Sequence, residues 1–174
     1  GGLLAAGLLG AWYLWRQTAM RRALAGGMAA GLLVWGMGSL VLHSLEQGTR
    51  LPELTLRDVQ GQPLELREKL GRPMVINLWA TWCPPCRREM PVLAEAQRAH
   101  PGVTFVFANQ GEGAGEVSAY LASQALQLDN VLLDSDGALG QLVGSRALPT
   151  TLFYNAEGRL LGSHLGELSR ASPV

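Results

Sequence analysis

A nearly continuous apolar run leads directly into a pair of cysteines near the middle of the chain. The run Met74–Trp79 has the composition of a central strand that is covered on both faces. The motif Cys83-Pro84-Pro85-Cys86 follows, and apolar residues then recur at helical spacing as far as His100. Proline suits the first turn of such a helix, because the N–H that it lacks has no helical partner there. The sequence therefore predicts an α/β unit with Cys83 at a helix N-terminus.

The residues on either side extend this unit into an α/β domain. Leu54–Asp58 and Leu64–Leu66 flank a turn and are expected to form an opening β-hairpin. Further strands and helices alternate after the cysteines, which is typical of a sheet covered by helices. The predicted strands are 103–108, 131–133, 151–154 and 159–164, and the predicted helices are 115–125 and 138–143.

The first part of the chain has a different character. Ala23–Leu42 is a run of 20 residues without a charge, enough for a helix to cross the roughly 30 Å hydrocarbon core of a bilayer. We therefore expect residues 1–45 to be a membrane segment, with a transmembrane helix at 23–45 and a partial span at 1–15. Between them, residues 16–22 carry three arginines, which places this loop in the cytoplasm and the rest of the chain outside.

After a linker at 46–50, residues 51–174 form the predicted α/β domain. Residues 46–174 hold 11 basic and 14 acidic side chains, a net charge of −3, and no basic stripe. This pattern argues against nucleic acid as a partner and leaves other proteins as the expected partners. The whole chain has only two cysteines, which excludes a disulfide framework and a four-thiolate zinc site within it.

A redox pair is the favoured interpretation of Cys83 and Cys86. Unpaired N–H groups and the helix dipole lower the pKa of a cysteine at a helix N-terminus, so Cys83 is the expected nucleophile. Cys86 lies less than one turn away and can resolve a mixed disulfide. Pro84 and Pro85 remove two N–H donors that could stabilise the thiolate, which favours a reductant. A static disulfide and a two-thiolate copper or zinc site are the competing interpretations.

Two stretches of this chain resemble a known family. Residues 71–91, with the sequence GRPMVINLWATWCPPCRREMP, resemble the active-site region of the TlpA-like thiol:disulfide reductases, which are similar to ResA and the cytochrome c maturation thioredoxins. Leu148-Pro149-Thr150-Thr151 resembles the segment that carries the cis-proline of that family. The resemblance implies a thioredoxin fold with an N-terminal β-hairpin and a central insertion at Gly111–Leu128. With the uncharged stretches before it, the expected architecture is this fold preceded by one transmembrane helix or two.

The resemblance also implies roles for individual residues. Pro149 is expected in the cis form opposite the cysteines, binding substrate together with Leu148 and Trp82. Asn77 stands where cytoplasmic thioredoxins carry a buried acid, and Glu89 is the nearest acid that could replace it. A solvated Glu89 that balances Arg87 and Arg88 is nevertheless the favoured interpretation.

Two further expectations follow from the same comparison. Trp79 is expected in the core. Leu168–Val174 is too short for the terminal helix of a thioredoxin fold, which suggests a truncated C-terminus.

The function expected from these observations is reduction of disulfides in exported proteins, such as apocytochrome c or copper-site assembly proteins. Electrons would come from a membrane donor of the DsbD/CcdA type, because an oxidising periplasm supplies none. The expected location is the bacterial inner membrane with the domain facing the periplasm, and no cofactor or metal is expected beyond the Cys83–Cys86 disulfide. The alternatives are a disulfide oxidase or isomerase, a Cu(I)-handling module, and one part of a larger polytopic protein.

Overall fold

The computed structural model describes residues 34–39 and 50–168, which belong to two separate units, Gly1–Gln47 and Gly48–Val174. In the first unit the described residues 34–39 are helical and exposed. Within the described parts of the chain, no helix combines the length and the apolar character needed to cross a membrane. Most of the predicted transmembrane helix, and all of the predicted partial span and cytoplasmic loop, lie outside the described residues.

In the second unit, seven strands form one mixed sheet in the order β2-β1-β5-β4-β3-β6-β7. The strands are β1 (Thr55–Asp58), β2 (Pro63–Glu65), β3 (Met74–Trp79), β4 (Thr104–Gln110), β5 (Val131–Asp134), β6 (Thr150–Tyr154) and β7 (Leu160–Leu165). The helices are a 3-10 turn (Leu66–Lys69), α1 (Pro84–Ala99), α2 (Ala114–Ser123) and α3 (Ala138–Leu142). The predicted α/β class and each predicted strand and helix of this unit are confirmed, with shifts of one or two residues at their ends.

The strand directions bring several element ends to one edge of the sheet. β3, β4 and β5 are parallel, and β6 runs antiparallel to β3. The carboxyl ends of the three parallel strands therefore lie beside the amino end of β6. In open α/β sheets this is the edge where ligands bind. The cysteine motif follows β3 at this edge.

Alternation along the strands produces two apolar layers, one on each face of the sheet. Met74, Ile76 and Leu78 point into the layer that also contains the 3-10 turn and α3. Trp79 and Phe107 belong to the opposite layer, with the cysteines and the apolar side of α1. Trp79 is fully buried, as expected for a core residue. A large side chain buried to this degree contributes about 1.5–3 kcal/mol to folding.

The described chain ends in a segment that lies against α1. After β7, Gly166 donates its N–H to the carbonyl oxygen of Pro149 at 2.9 Å. Leu168, two residues on, packs against the layer that contains the cysteines. Residues 169–174, the rest of the stretch that is too short for a terminal helix, lie outside the described residues.

Candidate active site

The two cysteines form a disulfide at the start of α1. Cys83 is the N-cap residue of this helix, as expected from the sequence, and Pro84 and Pro85 occupy its first turn. The S–S distance is 2.07 Å, and the N–H of Cys86 lies 3.3 Å from the sulfur of Cys83. Cys83 keeps 3 % of its surface exposed, whereas Cys86 is completely buried. Of the two residues, only Cys83 therefore retains any contact with solvent.

The loop between α3 and β6 brings a proline to the same edge of the sheet. The Leu148–Pro149 bond is cis, which confirms the expectation from the family resemblance. Pro149 is buried, and Thr150, the next residue, lies opposite Leu78 in the sheet register. Leu148 packs against the layer that contains both cysteines. The structure therefore brings Leu148 and Pro149 to the edge that carries the cysteine motif.

Aromatic side chains lie on both sides of the cysteine motif. Trp82, immediately before Cys83, is 67 % exposed, as expected for a residue at the rim of the site. The Tyr120 ring, from α2, lies 5.6 Å from the Trp79 ring, and the Arg87 guanidinium carbon lies 5.7 Å from the Tyr120 centroid. α2 is the helix of the predicted insertion, so the insertion packs beside the active-site helix. Tyr120 was not predicted to lie near the site.

Glu89 is buried, which corrects the expectation of a solvated acid that balances Arg87 and Arg88. Its oxygens accept hydrogen bonds from the Asn77 amide at 2.7 Å and from the N–H of Leu168 at 2.8 Å. The Asn77 amide also donates to the Thr151 hydroxyl at 3.1 Å. Glu89 follows Cys86 by three residues, and residues at this spacing share one helix face, here the face against the sheet. The expectation was wrong because charge balance in sequence does not show which face a helix buries.

Burial also changes the acidity of this carboxyl group. Removal from solvent raises the pKa of Glu89 above its ordinary value of 4.5, and the hydrogen bonds from Leu168 and Asn77 partly oppose that rise. The negative charge of Glu167 raises the pKa of Glu89 further, and His164 on β7 lowers it. Glu89 is thus a buried group that holds a proton more readily than an ordinary glutamate, one helical turn along α1 from Cys86.

Glu112, to which the sequence analysis assigned no role, contacts the segment before the cysteines. Its carboxylate accepts hydrogen bonds from the backbone N–H of Thr81 at 2.8 Å and from the Thr81 hydroxyl. The Asn109 amide donates to the same carboxylate at 2.7 Å. Its role could have been suspected from the sequence, because Glu112 closely follows the end of a buried parallel strand and α/β proteins bind ligands at that edge of the sheet.

No metal site accompanies these residues in the part of the chain that is described. Within residues 34–39 and 50–168, no group of three or more His, Cys, Asp or Glu side chains is arranged to hold a metal ion.

A disulfide at a helix N-terminus, with a cis-proline at the same edge of a mixed sheet, defines the class of thioredoxin-like thiol:disulfide oxidoreductases. The chain belongs to the Redoxin family, whose pattern it matches over residues 46–173.

Named relatives agree with this assignment. The thiol-disulfide oxidoreductase ResA of Bacillus subtilis is 30 % identical over 131 residues, which cover 74 % of this chain and 73 % of ResA. ResA of Halalkalibacterium halodurans is 30 % identical over 124 residues, 70 % of each chain. Together with the family match, these relatives identify the chain as a ResA-like thiol:disulfide oxidoreductase of the thioredoxin superfamily.

Solved structures show the same fold. The putative thiol:disulfide interchange protein DsbE from Chlorobium tepidum superposes with a TM-score of 0.63 at 26 % identity, covering 70 % of this chain and 86 % of that one. MTB DsbF superposes with a TM-score of 0.63 at 26 % identity, covering 67 % and 87 %. The thioredoxin-like fold expected from the sequence is therefore confirmed.

Proposed function

We propose that this oxidoreductase reduces disulfides in exported proteins, working from the outer face of a bacterial inner membrane. One observation supports the choice of the cysteine that attacks the substrate. Cys83 caps the N-terminus of α1 and keeps 3 % of its surface exposed, whereas Cys86 keeps none. This difference supports the assignment of Cys83 as the residue that attacks a disulfide on another protein and of Cys86 as the residue that completes the exchange.

The reaction begins with the Cys83 thiolate of the reduced form. It attacks one sulfur of the substrate disulfide, and the other substrate sulfur leaves as a thiolate that takes a proton from water. Cys86 then loses its proton and attacks the sulfur of Cys83. The Cys83–Cys86 disulfide forms, and the second substrate sulfur leaves as a thiolate. Two electrons pass to the substrate, and the pair itself holds them beforehand, so we propose no other cofactor.

Glu89 is the proposed acceptor of the Cys86 proton. It lies one helical turn from Cys86, is buried, and has a raised pKa because of that burial. Asn77 orients the carboxylate by donating to one of its oxygens. An amide cannot take the proton itself, so Asn77 is a positioning residue in this proposal.

The substrate segment is proposed to lie between Trp82 and the Leu148–Pro149 bond. Trp82 offers an exposed apolar surface next to Cys83. Leu148 contributes a second apolar contact from the opposite loop. Large aromatic surfaces of this kind commonly anchor protein partners.

We further propose that the uncharged stretch Ala23–Leu42 anchors the domain in the membrane, with residues 16–22 on the cytoplasmic side. A partner of the DsbD/CcdA type would then return electrons to the Cys83–Cys86 pair. Apocytochrome c and the cysteines of metal-site assembly proteins are the proposed substrates. The three arginines before the stretch and the absence of charge within it support this orientation.

The test is the reduction potential of the Cys83–Cys86 couple in the whole chain, held in detergent and equilibrated against dithiothreitol. A value near or below about −270 mV supports a reductase, whereas one near −120 mV would replace the proposal with a disulfide-forming oxidase. Cys83→Ser is the matched control, because it keeps the size of the side chain but removes the couple. Turnover of a protein disulfide by this variant would contradict the assignment of the nucleophile.

A further inference from the structure

Thr81 lies within the turn that carries the nucleophilic cysteine. The N–H of Cys83 donates to the carbonyl oxygen of Ala80 at 3.3 Å, which closes this turn. Both polar groups that Thr81 directs outward, its N–H and its hydroxyl, donate to the carboxylate of Glu112. Glu112 belongs to the insertion, 31 residues further along the chain. One side chain therefore attaches the active-site turn to a separate loop.

Glu112 is itself held in place on two sides. The Asn109 amide, on a fully buried residue at the end of β4, donates to the same carboxylate. The backbone carbonyl of Glu112 accepts a hydrogen bond from the Ser135 hydroxyl at 3.0 Å. The preceding residue, Gly111, adopts a φ of 76°, which favours glycine, and donates its N–H to the Asp134 carbonyl. The ends of β4 and β5 thus fix the position of the carboxylate.

Glu116, a second acid on the same insertion, makes a contact only within its own helix end. Glu116 is exposed and accepts one hydrogen bond, from the N–H of Gly113 three residues earlier. That contact caps α2 and reaches no residue of the active site. Glu112 differs because two of its three donors belong to Thr81, which is 31 residues away in sequence and lies in the active-site turn.

We propose that Glu112 is a positioning residue of the exchange reaction, which holds the turn of Cys83 and places a negative charge near its thiolate. A charge of the same sign disfavours the thiolate and hence the reduced form. The Cys83–Cys86 couple is then more reducing than it would be beside a neutral side chain. This inference rests on the proposed role of Cys83 as nucleophile.

Glu112→Gln separates the charge from the contacts. Its amide oxygen can accept from Thr81 N–H and Asn109, and its amide N–H can donate to the Thr81 hydroxyl, because a hydroxyl both donates and accepts. The variant should therefore retain the turn and lose only the charge. Glu112→Ala loses both, and Glu116→Gln removes the same charge from the same insertion without touching the turn.

The experiment measures three properties of the full chain in detergent: the equilibrium with dithiothreitol, the pH profile of Cys83 alkylation, and kcat/KM with a protein disulfide. For Glu112→Gln we expect the equilibrium to shift about 3-fold toward the dithiol, equivalent to about 14 mV. The alkylation profile should move to lower pH. Glu112→Ala should show the same shift and also lose about 10-fold in kcat/KM, because the orientation of the nucleophile is no longer fixed.

The result that overturns the inference is a Glu112→Gln protein whose equilibrium and alkylation profile match those of Glu116→Gln. This outcome remains available if Glu112→Ala does not fold, because the glutamine variant is nearly isosteric. The wild-type potential tests the proposed function by itself, while the difference between wild type and Glu112→Gln tests only the inference about Glu112. The failure of one is therefore distinguishable from the failure of the other.

Discussion

Two carboxylates contact the segments that carry the active-site cysteines, and the two lie in different surroundings. Glu89 is completely buried between α1 and the sheet, where an amide and one backbone N–H donate to it. Glu112 is half-buried at the ends of β4 and β5 and accepts three hydrogen bonds.

The comparison shows that the same side chain can acquire different chemical properties according to how deeply it is buried. Desolvation penalises the charged form of an acid and hydrogen bonds favour it. At Glu89 desolvation is the larger effect and the pKa rises. Glu89 is thus suited to taking and releasing a proton, whereas Glu112 is suited to holding a loop in place through its contacts with Thr81.

The largest expected effect is the loss of catalytic rate when Glu89, and not Glu112, is replaced by glutamine. Glu89→Gln removes the proposed proton acceptor for Cys86, and loss of a general base typically lowers a rate by about 10²-fold or more. We therefore expect a fall of about 10²-fold in kcat/KM for reduction of a protein disulfide at neutral pH. Glu112→Gln is the comparison variant and should stay within about 3-fold of wild type. Equal losses in both variants would show that the two carboxylates do not have separate roles.

The second prediction uses the raised pKa of Glu89. Below pH 4.5 the carboxyl is protonated in both the folded and the unfolded chain, so it contributes no pH dependence. Above this pH the unfolded chain releases the proton first, and the folded chain releases it only at its raised pKa. The unfolded state then binds fewer protons, so the free energy of unfolding falls as pH rises through this interval.

Glu89→Gln removes that titration. Urea unfolding of the oxidised full chain, measured from pH 4 to pH 8, should show the variant gaining stability relative to wild type as pH rises. A constant difference between the two proteins across this range would show that burial does not raise the pKa of Glu89.

The smallest effect concerns the ion pair beside Glu89. Arg88 lies 2.7 Å from Glu167, with 60 % and 34 % of their side chains exposed, so the pair should contribute less than about 1 kcal/mol. Arg88→Gln should therefore cost little stability, because Leu168 still donates to Glu89. Arg67→Gln breaks the Arg67–Glu53 pair, which is 40 % and 72 % exposed, and serves as the control. A loss in Arg88→Gln of several kcal/mol would show that the ion pair, and not the buried hydrogen bond, holds this segment.

Much of the fold was predictable because its signals are local. The apolar run of β3, the proline at the start of α1 and the apolar spacing along that helix all lie within about 25 residues. The predicted strands 151–154 and 159–164 are likewise close in sequence, and they pair as β6 and β7. Cys83, Cys86 and Pro149 were identified by their neighbours in sequence, and the family resemblance supplied the cis form of Pro149.

The hydrogen-bond partners of the two carboxylates were not predictable in this way. Leu168 and Glu89 are separated by 79 residues, and Thr81 and Glu112 by 31. No local periodicity relates positions so far apart, since their contact depends on the order of the strands and the face that α1 buries. Glu89 also lies next to two arginines in sequence, which indicated the solvent side of the helix and not the face that is buried.

The sequence by itself determined the alternation of strands and helices and the cysteine pair at a helix N-terminus, because each depends on the order of neighbouring residues. Only the tertiary structure decided which acid is buried between α1 and the sheet and which one contacts the turn of Cys83. The physical reason is that burial and hydrogen-bond partners are properties of packed elements: an identical carboxylate gains a raised pKa or a fixed set of donors according to the segments folded against it.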